Sequence, residues 1–300
     1  MPNPTIRWNG NRDKLPKISI VTPSFNHADY LEATILSVLD QGYPHLEYVI
    51  MDGGSTDGSA EIIAKYDSYL TYWRSHPDGG QYESINEGFG HTTGEIMAWL
   101  NSDDMLHRNA LWTVAKIFNK FSQTEWIMGT PTWFDANGCT VSVGQVPRWS
   151  RYRILYGNWK WIQQESVFWS RSLWERSGGR LETSYKLAAD FDLWVRFYRN
   201  AQMYTTTALI GGFRSSSNFQ RGRKNRTLYL QEAKQIISNE NKNVLSRRDV
   251  LKNKLIGFLI KKIPQRFHPR LFQWLDDSFK FPPVIVYNIG SGDFQLQQKI

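Results

Sequence analysis

Residues 18–58 read ISIVTPSFNHADYLEATILSVLDQGYPHLEYVIMDGGSTDG, and the hydrophobic pattern of this stretch decides the fold. The β-branched run Ile18–Thr22 predicts a buried strand, and Leu46–Met51 predicts a second one. Between them, apolar residues recur at helical spacing: Leu31, Ile35, Val38 and Leu39. A strand, a helix and another strand in this order indicate a right-handed βαβ unit in a parallel sheet.

The same alternation continues along the chain. We predict a short helix through Ile62 and Ile63, a third strand at Tyr72–Trp73, a fourth at Ile96–Leu100 and a helix around residues 111–118. Further along, residues 133–138 predict a hairpin turn, and residues 205–210 predict a strand. Two helices are predicted at 172–177 and 191–200. The pattern therefore predicts an α/β fold, with a mostly parallel sheet flanked by helices. Such sheets bind ligands at the carboxyl ends of their strands.

Polar and acidic residues are concentrated at those predicted strand ends. Neither a P-loop nor a GxGxxG dinucleotide motif follows the first strand. The fourth strand instead ends in the adjacent acids Asp103 and Asp104. Two neighbouring carboxylates repel each other, and their oxygens suit Mg²⁺ or Mn²⁺ bound together with a diphosphate. The alternative is that Asp104 caps the helix that begins near Arg108.

Three segments occur in a familiar order at the predicted strand ends: Thr22-Pro23-Ser24-Phe25-Asn26, residues 52–57 and Asn101-Ser102-Asp103-Asp104. Together they resemble family 2 glycosyltransferases of the Rossmann-like GT-A fold, over roughly residues 17–220. The resemblance implies an inverting transfer of a sugar from a nucleoside-diphosphate donor to an acceptor hydroxyl. Polysaccharide or glycoconjugate synthesis, with a glycan or lipid-linked acceptor, is the setting that it implies.

The resemblance also implies roles for single residues. Those expected to bind the nucleotide sugar are Thr22, Pro23, Phe25, Asn26, Asp52, Asp78, Asn101, Ser102 and Asp103. Asp52 corresponds to an acid that often binds uracil, which favours a UDP-sugar, whereas Asp78 is equally interpretable as a turn residue. Asp103 and Asp104 correspond to the residues that hold a divalent metal, Mn²⁺ or Mg²⁺.

A single carboxylate can act as the base that deprotonates the acceptor hydroxyl. In the segment 189–194 the resemblance assigns this role to Asp190, although Ala189 stands where relatives have Glu. Asp192 is the reserve candidate, and helix capping is the alternative for both acids. Gln163–Ser166 resembles an acceptor-side segment or is an ordinary polar loop. Trp159 and Trp161 are candidates for stacking on sugar rings, and Arg214 for contacting the diphosphate.

The charge of the chain is uneven. The whole sequence carries +8, but residues 221–270 contain 14 Lys and Arg against three acids, so the rest is net acidic. We expect a transferase domain over 1–222 and a basic, helical, amphipathic extension over 223–300. Apolar residues share one face of the extension, and lysines flank them: Val250, Leu251, Leu255, Phe258, Leu259 and Ile263. Such a helix binds an anionic membrane surface or docks on the domain. Phe267, Phe272 and Trp274 strengthen the membrane interpretation.

Composition narrows the classes further. The single cysteine, Cys139, excludes an internal disulfide and favours a reducing compartment. No apolar stretch approaches the ~20 residues of a spanning helix, and no secretory signal precedes the first strand. We therefore expect a cytoplasmic protein, peripheral at the membrane face. An inactive nucleotide-sugar-binding module and a nucleic-acid-binding protein are the competing interpretations, and the acidic main body disfavours the latter. The pattern gives no oligomeric state.

Overall fold

The protein is described here by a computed structural model. It describes residues 15–155, 162–215, 225–243, 246–262 and 280–298. The candidate sugar-stacking residues Trp159 and Trp161 lie outside these ranges, as do the tail aromatics Phe267, Phe272 and Trp274.

A seven-stranded sheet forms the centre of the molecule. In spatial order its strands are β10 (Tyr204–Thr205), β6 (Trp126–Met128), β9 (Val167–Ser170), β4 (Ile96–Trp99), β1 (Ile18–Ser24), β2 (Leu46–Asp52) and β3 (Tyr72–Ser75). Within this sheet β9 alone runs opposite to the others. The register pairs Ser24 with Asp52 and Asp52 with Ser75, so three neighbouring strands end level with one another. The predicted mostly parallel α/β sheet is confirmed.

Helices connect and cover these strands. They are α1 (Ala28–Leu39), α2 (Ser59–Ala64), α3 (Gln81–Gly90), α4 (Ala110–Lys120), α5 (Arg151–Leu155), α6 (Arg171–Arg176) and α7 (Ala189–Asn200). The first helix buries Leu31, Ile35 and Val38, the apolar stripe that the sequence predicts. Among the described residues, no helix combines the length and apolarity that crossing a bilayer requires.

A smaller four-stranded sheet lies beside the main one. Its strands are, in order, β5 (Met105–Leu106), β11 (Gly211–Arg214), β7 (Thr132–Phe134) and β8 (Thr140–Val143). The predicted 133–138 turn is confirmed, but the predicted strand 205–210 is wrong. The chain instead leaves the main sheet after Thr205 and enters this second sheet at Gly211. A Cβ on Gly211 would lie 1.9 Å from the carbonyl oxygen of Glu165, so the close approach requires glycine.

Aromatic residues make up 14% of the chain, and buried tryptophans account for part of this content. Trp99, Trp126, Trp169 and Trp194 are each at most 2% exposed. The rings of Trp99 and Trp194 stack at 5.7 Å with 5° between their planes. These four rings belong to the core, where each buries a large apolar area.

The C-terminal part contains two helices, α8 (Arg226–Asn243) and α9 (Arg247–Lys262), followed by a hairpin of β12 (Val284–Asn288) and β13 (Asp293–Gln297). Thr206 forms a parallel bridge with Ile285, and Lys116 and Lys120 form ion pairs with Asp293. The expectation that 223–300 is helical therefore needs correction at its end. The β-branched run Val284–Val286 and a turn with two glycines are hairpin features that the helical interpretation overlooked.

Candidate active site

The loops that follow β1, β2, β3 and β4 meet at one edge of the main sheet. The side-chain carbonyl of Asn26 accepts a hydrogen bond from the Thr56 amide at 2.9 Å. Gln81 Nε2 donates to Asn101 Oδ1 at 2.8 Å. His27 Nδ1 and Ser102 Oγ are hydrogen-bonded at 2.7 Å. The structure thus brings the sequence-predicted segments together at the carboxyl ends of the strands.

Phe25 and Asp78 line one side of this edge. A Cβ added to Gly53 would lie 3.3 Å from Asp78 Oδ2 and 3.3 Å from Phe25 Cδ2, so both side chains flank the Gly53 backbone. The Phe25 ring is 59% exposed. Asp78 accepts hydrogen bonds from the Gly80 amide at 2.8 Å and from the Ser84 hydroxyl. An exposed aromatic face beside a fixed carboxylate offers stacking and hydrogen bonding to a planar base.

Asp52 holds the loop of this pocket together. Its carboxylate is buried and accepts hydrogen bonds from four donors: the Gly54 amide at 3.1 Å, the Ser55 amide at 2.8 Å, the Ser55 hydroxyl at 2.5 Å and the Ser75 hydroxyl at 2.7 Å. Three of these bonds fall on Oδ2 and one on Oδ1, so Oδ1 can accept one more. In this structure Asp52 therefore fixes the loop, and the contact with the base that the resemblance implies stays a prediction.

Two of the predicted donor-binding residues are internal. Thr22 is fully buried, and its hydroxyl is hydrogen-bonded to the Tyr48 hydroxyl at 3.1 Å. Pro23 is also buried within β1. Both side chains are buried because the sheet is covered on both faces, so any contact with a base would have to come from their backbone. The exposed end of this segment begins at Phe25.

The adjacent acids Asp103 and Asp104 follow β4. Asp104 is fully buried, and its Oδ1 accepts the Arg214 amide at 2.9 Å while its Oδ2 accepts Asn101 Nδ2 at 3.1 Å. Helix α4 has Asn109 as its N-cap residue, so the alternative that Asp104 caps this helix is wrong. Asp103 is partly exposed.

Burial raises the pKa of Asp103, and the nearby charges of His27 and Arg214 offset only part of this effect. Burial, together with the charges of Asp103 and Glu165, holds the pKa of Asp104 well above its usual range. Two carboxyl groups that resist ionisation are a donor set that fits an oxygen-preferring dication, which would restore both charges. Among the described residues no group of three His, Cys, Asp or Glu could hold a metal, so substrate oxygens or water would complete its shell.

Arg214 supplies positive charge beside these acids. Its side chain is 3% exposed; Nε donates to the Asp103 carbonyl at 2.7 Å and Nη1 to the Ala136 carbonyl at 2.9 Å. Within the described residues, Nη2 has no hydrogen-bond partner. Burial lowers the pKa of this guanidinium, although arginine remains charged. The expectation that Arg214 contacts a diphosphate stays a prediction, and Nη2 is the atom with a hydrogen bond left to donate.

Glu165 lies in the segment Gln163–Ser166, which the sequence analysis interprets as an acceptor-side segment or a polar loop without singling out this acid. It lies in the 3₁₀ turn Gln164–Ser166, is 4% exposed, and its Oε1 has no hydrogen-bond partner within the described part of the chain. Burial raises the pKa of Glu165 to about 8, and the charges of Asp103 and Asp190 add to the effect. Glu165 therefore lies close enough to both acids to respond to their charge. We call Asp103, Asp104, Glu165 and Asp190 the acid cluster.

Asp190 lies in the first turn of α7, and its Oδ1 accepts the Phe191 amide at 2.7 Å. Burial raises the pKa of Asp190 to about 7. The reserve candidate Asp192 is committed elsewhere, because its Oδ2 accepts Arg196 Nε at 2.8 Å. A carboxyl group whose pKa lies near neutrality has the proton affinity that suits a general base.

The level strand ends bring Phe25, Asp78, Asp103 and Asp104 to one edge of a mostly parallel α/β sheet, where such sheets bind their ligands. The chain belongs to glycosyl transferase family 2, whose model matches residues 19–186.

Relatives match over part of their length. An uncharacterised Mycobacterium tuberculosis glycosyltransferase is 38% identical over 90 residues, which span 30% of this chain and 34% of that protein. TuaG of Bacillus subtilis, named for teichuronic acid biosynthesis, is 36% identical over 32% of this chain and 39% of its own. An uncharacterised Rickettsia typhi glycosyltransferase is 26% identical over 63% and 61%. The match thus spans about a third to three fifths of these relatives.

Solved structures show the same fold at low identity. TarS of S. aureus superposes with a TM-score of 0.61 and 19% identity, covering 81% of this chain and 43% of TarS. TarS residues 1–349 with UDP-GlcNAc give 0.57 and 16%, covering 94% and 97%. The Pyrobaculum calidifontis mannosyltransferase with GDP-Man and Mn²⁺ gives 0.57 and 17%, covering 81% and 70%.

Proposed function

We propose that this chain transfers a sugar from a nucleoside-diphosphate donor to an acceptor hydroxyl, with Asp190 as general base. The observation that carries the proposal is the contact at Asn101, whose Nδ2 donates to Asp104 Oδ2 at 3.1 Å and to Gln164 Oε1 at 3.4 Å, beside Glu165. This contact and the raised pKa values of Glu165 and Asp190 support a site shared by donor-side and base-side acids. Clustered carboxyls with raised pKa values are characteristic of sites built for chemistry.

In the proposed reaction Asp190 accepts the proton of the acceptor hydroxyl as its oxygen forms a bond to the anomeric carbon. The bond from that carbon to the diphosphate breaks, and the nucleoside diphosphate leaves with the electron pair. Inversion at the anomeric carbon follows from attack on the face opposite the leaving group. Arg214 contributes positive charge on the diphosphate side.

Asp103 and Asp104 are the residues that would hold Mn²⁺ or Mg²⁺. When bound, such an ion supplies charge neutralisation for the diphosphate. The proposal is supported by the donor set itself and by the Mn²⁺ in the mannosyltransferase structure of the same fold.

We further propose that the donor is a UDP-sugar. Phe25 and Asp78 supply a stacking face and a fixed carboxylate, and the similar TarS structure contains UDP-GlcNAc. A glycan acceptor of polysaccharide or glycoconjugate synthesis is consistent with the naming of TuaG for teichuronic acid. Thermal shift with UDP, GDP and their sugars, with and without Mn²⁺, tests base choice. Stabilisation by GDP compounds alone would contradict the uridine assignment.

The test of the base is Asp190→Asn, with Asp192→Asn as its matched control from the same helical turn. We expect Asp190→Asn to bind donor normally and to lose roughly 10²–10⁴-fold in kcat, the usual contribution of a general base. Asp192→Asn should lose only its Arg196 ion pair and retain turnover. Normal kcat in Asp190→Asn would remove the assignment.

An inactive nucleotide-sugar-binding module is the second candidate, favoured by one observation, Ala189 in place of the family's Glu. It predicts donor binding without release of nucleoside diphosphate when acceptor is supplied. The same assay on the unmodified chain separates the two proposals.

We also propose that α9 binds an anionic membrane surface. Leu251, Leu255 and Phe258 are 68%, 60% and 58% exposed, beside the exposed Arg247 and basic neighbours. Ile256, on the opposite face of the helix, is only 1% exposed. An exposed apolar face with flanking cations suits a lipid interface. Cosedimentation with phosphatidylglycerol vesicles should exceed that with phosphatidylcholine, and Leu255→Ser with Phe258→Ser should abolish it. Equal recovery with both lipids would contradict the proposal.

A further inference from the structure

The helix that carries the base has no cap of its own. Its N-cap residue is Ala188, which forms no side-chain capping hydrogen bond. The N–H groups at a helix start nevertheless need acceptors, and the partial positive charge there favours an anion.

Glu232 of α8 provides a negatively charged hydrogen-bond acceptor just before this helix. Its Oε1 accepts the Lys186 amide at 2.9 Å, and its Oε2 accepts the Leu187 and Ala188 amides, each at 2.9 Å. The residue is only 9% exposed. One carboxylate that accepts the amide of the N-cap residue Ala188 and the amides of the two residues before it is a strong, charge-assisted contact. The segment that leads into Asp190 is therefore held from a helix more than 30 residues further along the chain.

Glu232 also acts on Asp190 electrostatically. After burial, the charge of Glu232 contributes to the raised pKa of Asp190. Among the described residues, Tyr229 from α8 and Glu165 from the turn before β9 also interact with the charge of Asp190. These two groups and Glu232 are acids rather than cations, so negative charge on them keeps the proton affinity of Asp190 high.

A second acid fixes α8 at the opposite end of α7. Glu240 is 2% exposed, and its Oε2 accepts Arg199 Nη2 at 2.5 Å and Arg199 Nε at 3.0 Å. Its Oε1 accepts Arg151 Nη2 at 3.4 Å. Helix α8 thus lies along α7, with Glu232 at the start and Glu240 at the end. Only the first contact touches the segment that positions Asp190.

We propose that Glu232 is a positioning residue for the general base: through its contact with residues 186–188, the C-terminal helix α8 fixes the start of α7 and thereby places Asp190. The inference rests on the proposed function, in which Asp190 is the base. It makes α8 part of the catalytic unit rather than an appendage after residue 222.

The experiment compares Glu232→Gln with Glu240→Gln in the full chain, measuring kcat, the KM for donor and the pH profile of kcat/KM. Glu232→Gln loses a charge and turns an amide group towards an N–H group. We expect roughly tenfold lower plateau kcat with unchanged donor KM, because the base is misplaced. The acidic side of its pH profile of kcat/KM should move to lower pH, because removal of a negative charge lowers the pKa of Asp190. Glu240→Gln should lower Tm without moving the pH profile.

The proposal would be overturned by a folded Glu232→Gln variant that has the wild-type plateau kcat and the wild-type pH profile and differs only in Tm. If Glu232→Gln fails to fold, Glu232→Asp replaces it: the charge stays, so the pH profile should stay, while the shorter side chain lowers the plateau. An unchanged plateau in Glu232→Asp would then overturn it. Full activity of Asp190→Asn would instead reject the proposed function, whatever Glu232 does.

Discussion

Glu47 at the amino edge of the main sheet and the acid cluster beyond its carboxyl edge show opposite uses of buried charge. Glu47, near the amino end of strand β2, accepts Ser19 Oγ at 2.8 Å, the Thr93 amide at 2.7 Å and the Gly94 amide at 2.9 Å, and pairs with Lys17 Nζ at 3.1 Å. Partial burial alone would raise the pKa of Glu47, but the hydrogen bonds outweigh it and bring the pKa to about 2. This carboxylate is fully partnered.

The acid cluster beyond the carboxyl ends of the strands is the reverse. Its four carboxyls have raised pKa values, and within the described chain one oxygen of Glu165 has no partner. Arg214 is the nearby cation, and burial lowers its pKa as well. The amino-end edge therefore stabilises the fold, whereas the acid cluster costs stability that a bound donor and cation would recover. Carboxyl groups with raised pKa values and incomplete hydrogen bonding are typical of functional sites, which supports placing the site at this edge of the sheet.

Asp104→Asn should have the largest effect on activity of the variants considered. Without the charge we expect kcat to fall roughly 10³-fold, because several kcal/mol of charge stabilisation on the diphosphate side are lost. Tm at pH 8 should not fall, since the amide removes a buried charge and Asn Oδ1 can still accept the Arg214 amide. Activity assays with Mn²⁺ and calorimetry check both. Wild-type turnover would place the diphosphate elsewhere.

Glu47→Gln should lower stability and leave activity unchanged. We expect a loss of about 2 kcal/mol in the free energy of unfolding at pH 7, because Gln lacks the charge that strengthens these hydrogen bonds and its NH₂ group would face Lys17 Nζ. The value of kcat/KM should stay unchanged. The folded pKa of about 2 lies below the unfolded value, so the stabilisation is present above about pH 4.5 and is lost as pH falls towards 2. Urea titrations at pH 7 and pH 3 measure it; equal losses at both would contradict the linkage.

Glu165→Gln tests the penalty in the acid cluster by its pH dependence. The folded pKa of about 8 lies above the unfolded value, so the protonated form contributes stability below about pH 4.5 that is lost as pH rises through 8. Wild-type Tm should therefore fall between pH 6 and pH 9. The Gln variant should show a flatter curve, higher by a few degrees at pH 9. Parallel curves for the two proteins would show that Glu165 is not buried as a neutral acid.

The sequence predicts the convergence at the carboxyl edge because each piece is local. Strand alternation fixes where β1, β2 and β4 end, and parallel strands place those ends on one side, so Asn26 and Asp103 could be assigned to one site. Burial could not be predicted, and it separates Thr22 from Phe25 although both follow the same motif. Contacts between distant segments were also missed. Glu232 looks like an ordinary helical acid until the fold places it 2.9 Å from three amides of residues 186–188.

The smallest expected effect concerns the ion pairs of Asp293 with Lys116 at 3.0 Å and Lys120 at 2.6 Å. Slight burial opposes ionisation, but the two lysines lower the pKa of Asp293 to about 2. All three side chains are more than a third exposed, so water and salt screen the charges, and Asp293→Asn should cost less than about 1 kcal/mol. The loss should diminish as pH falls from about 4 towards 2 and should shrink in 1 M NaCl, where the Debye length is about 3 Å. A larger, salt-independent loss would mean that the hairpin depends on Asp293 through the Phe294 amide, which it accepts at 2.8 Å.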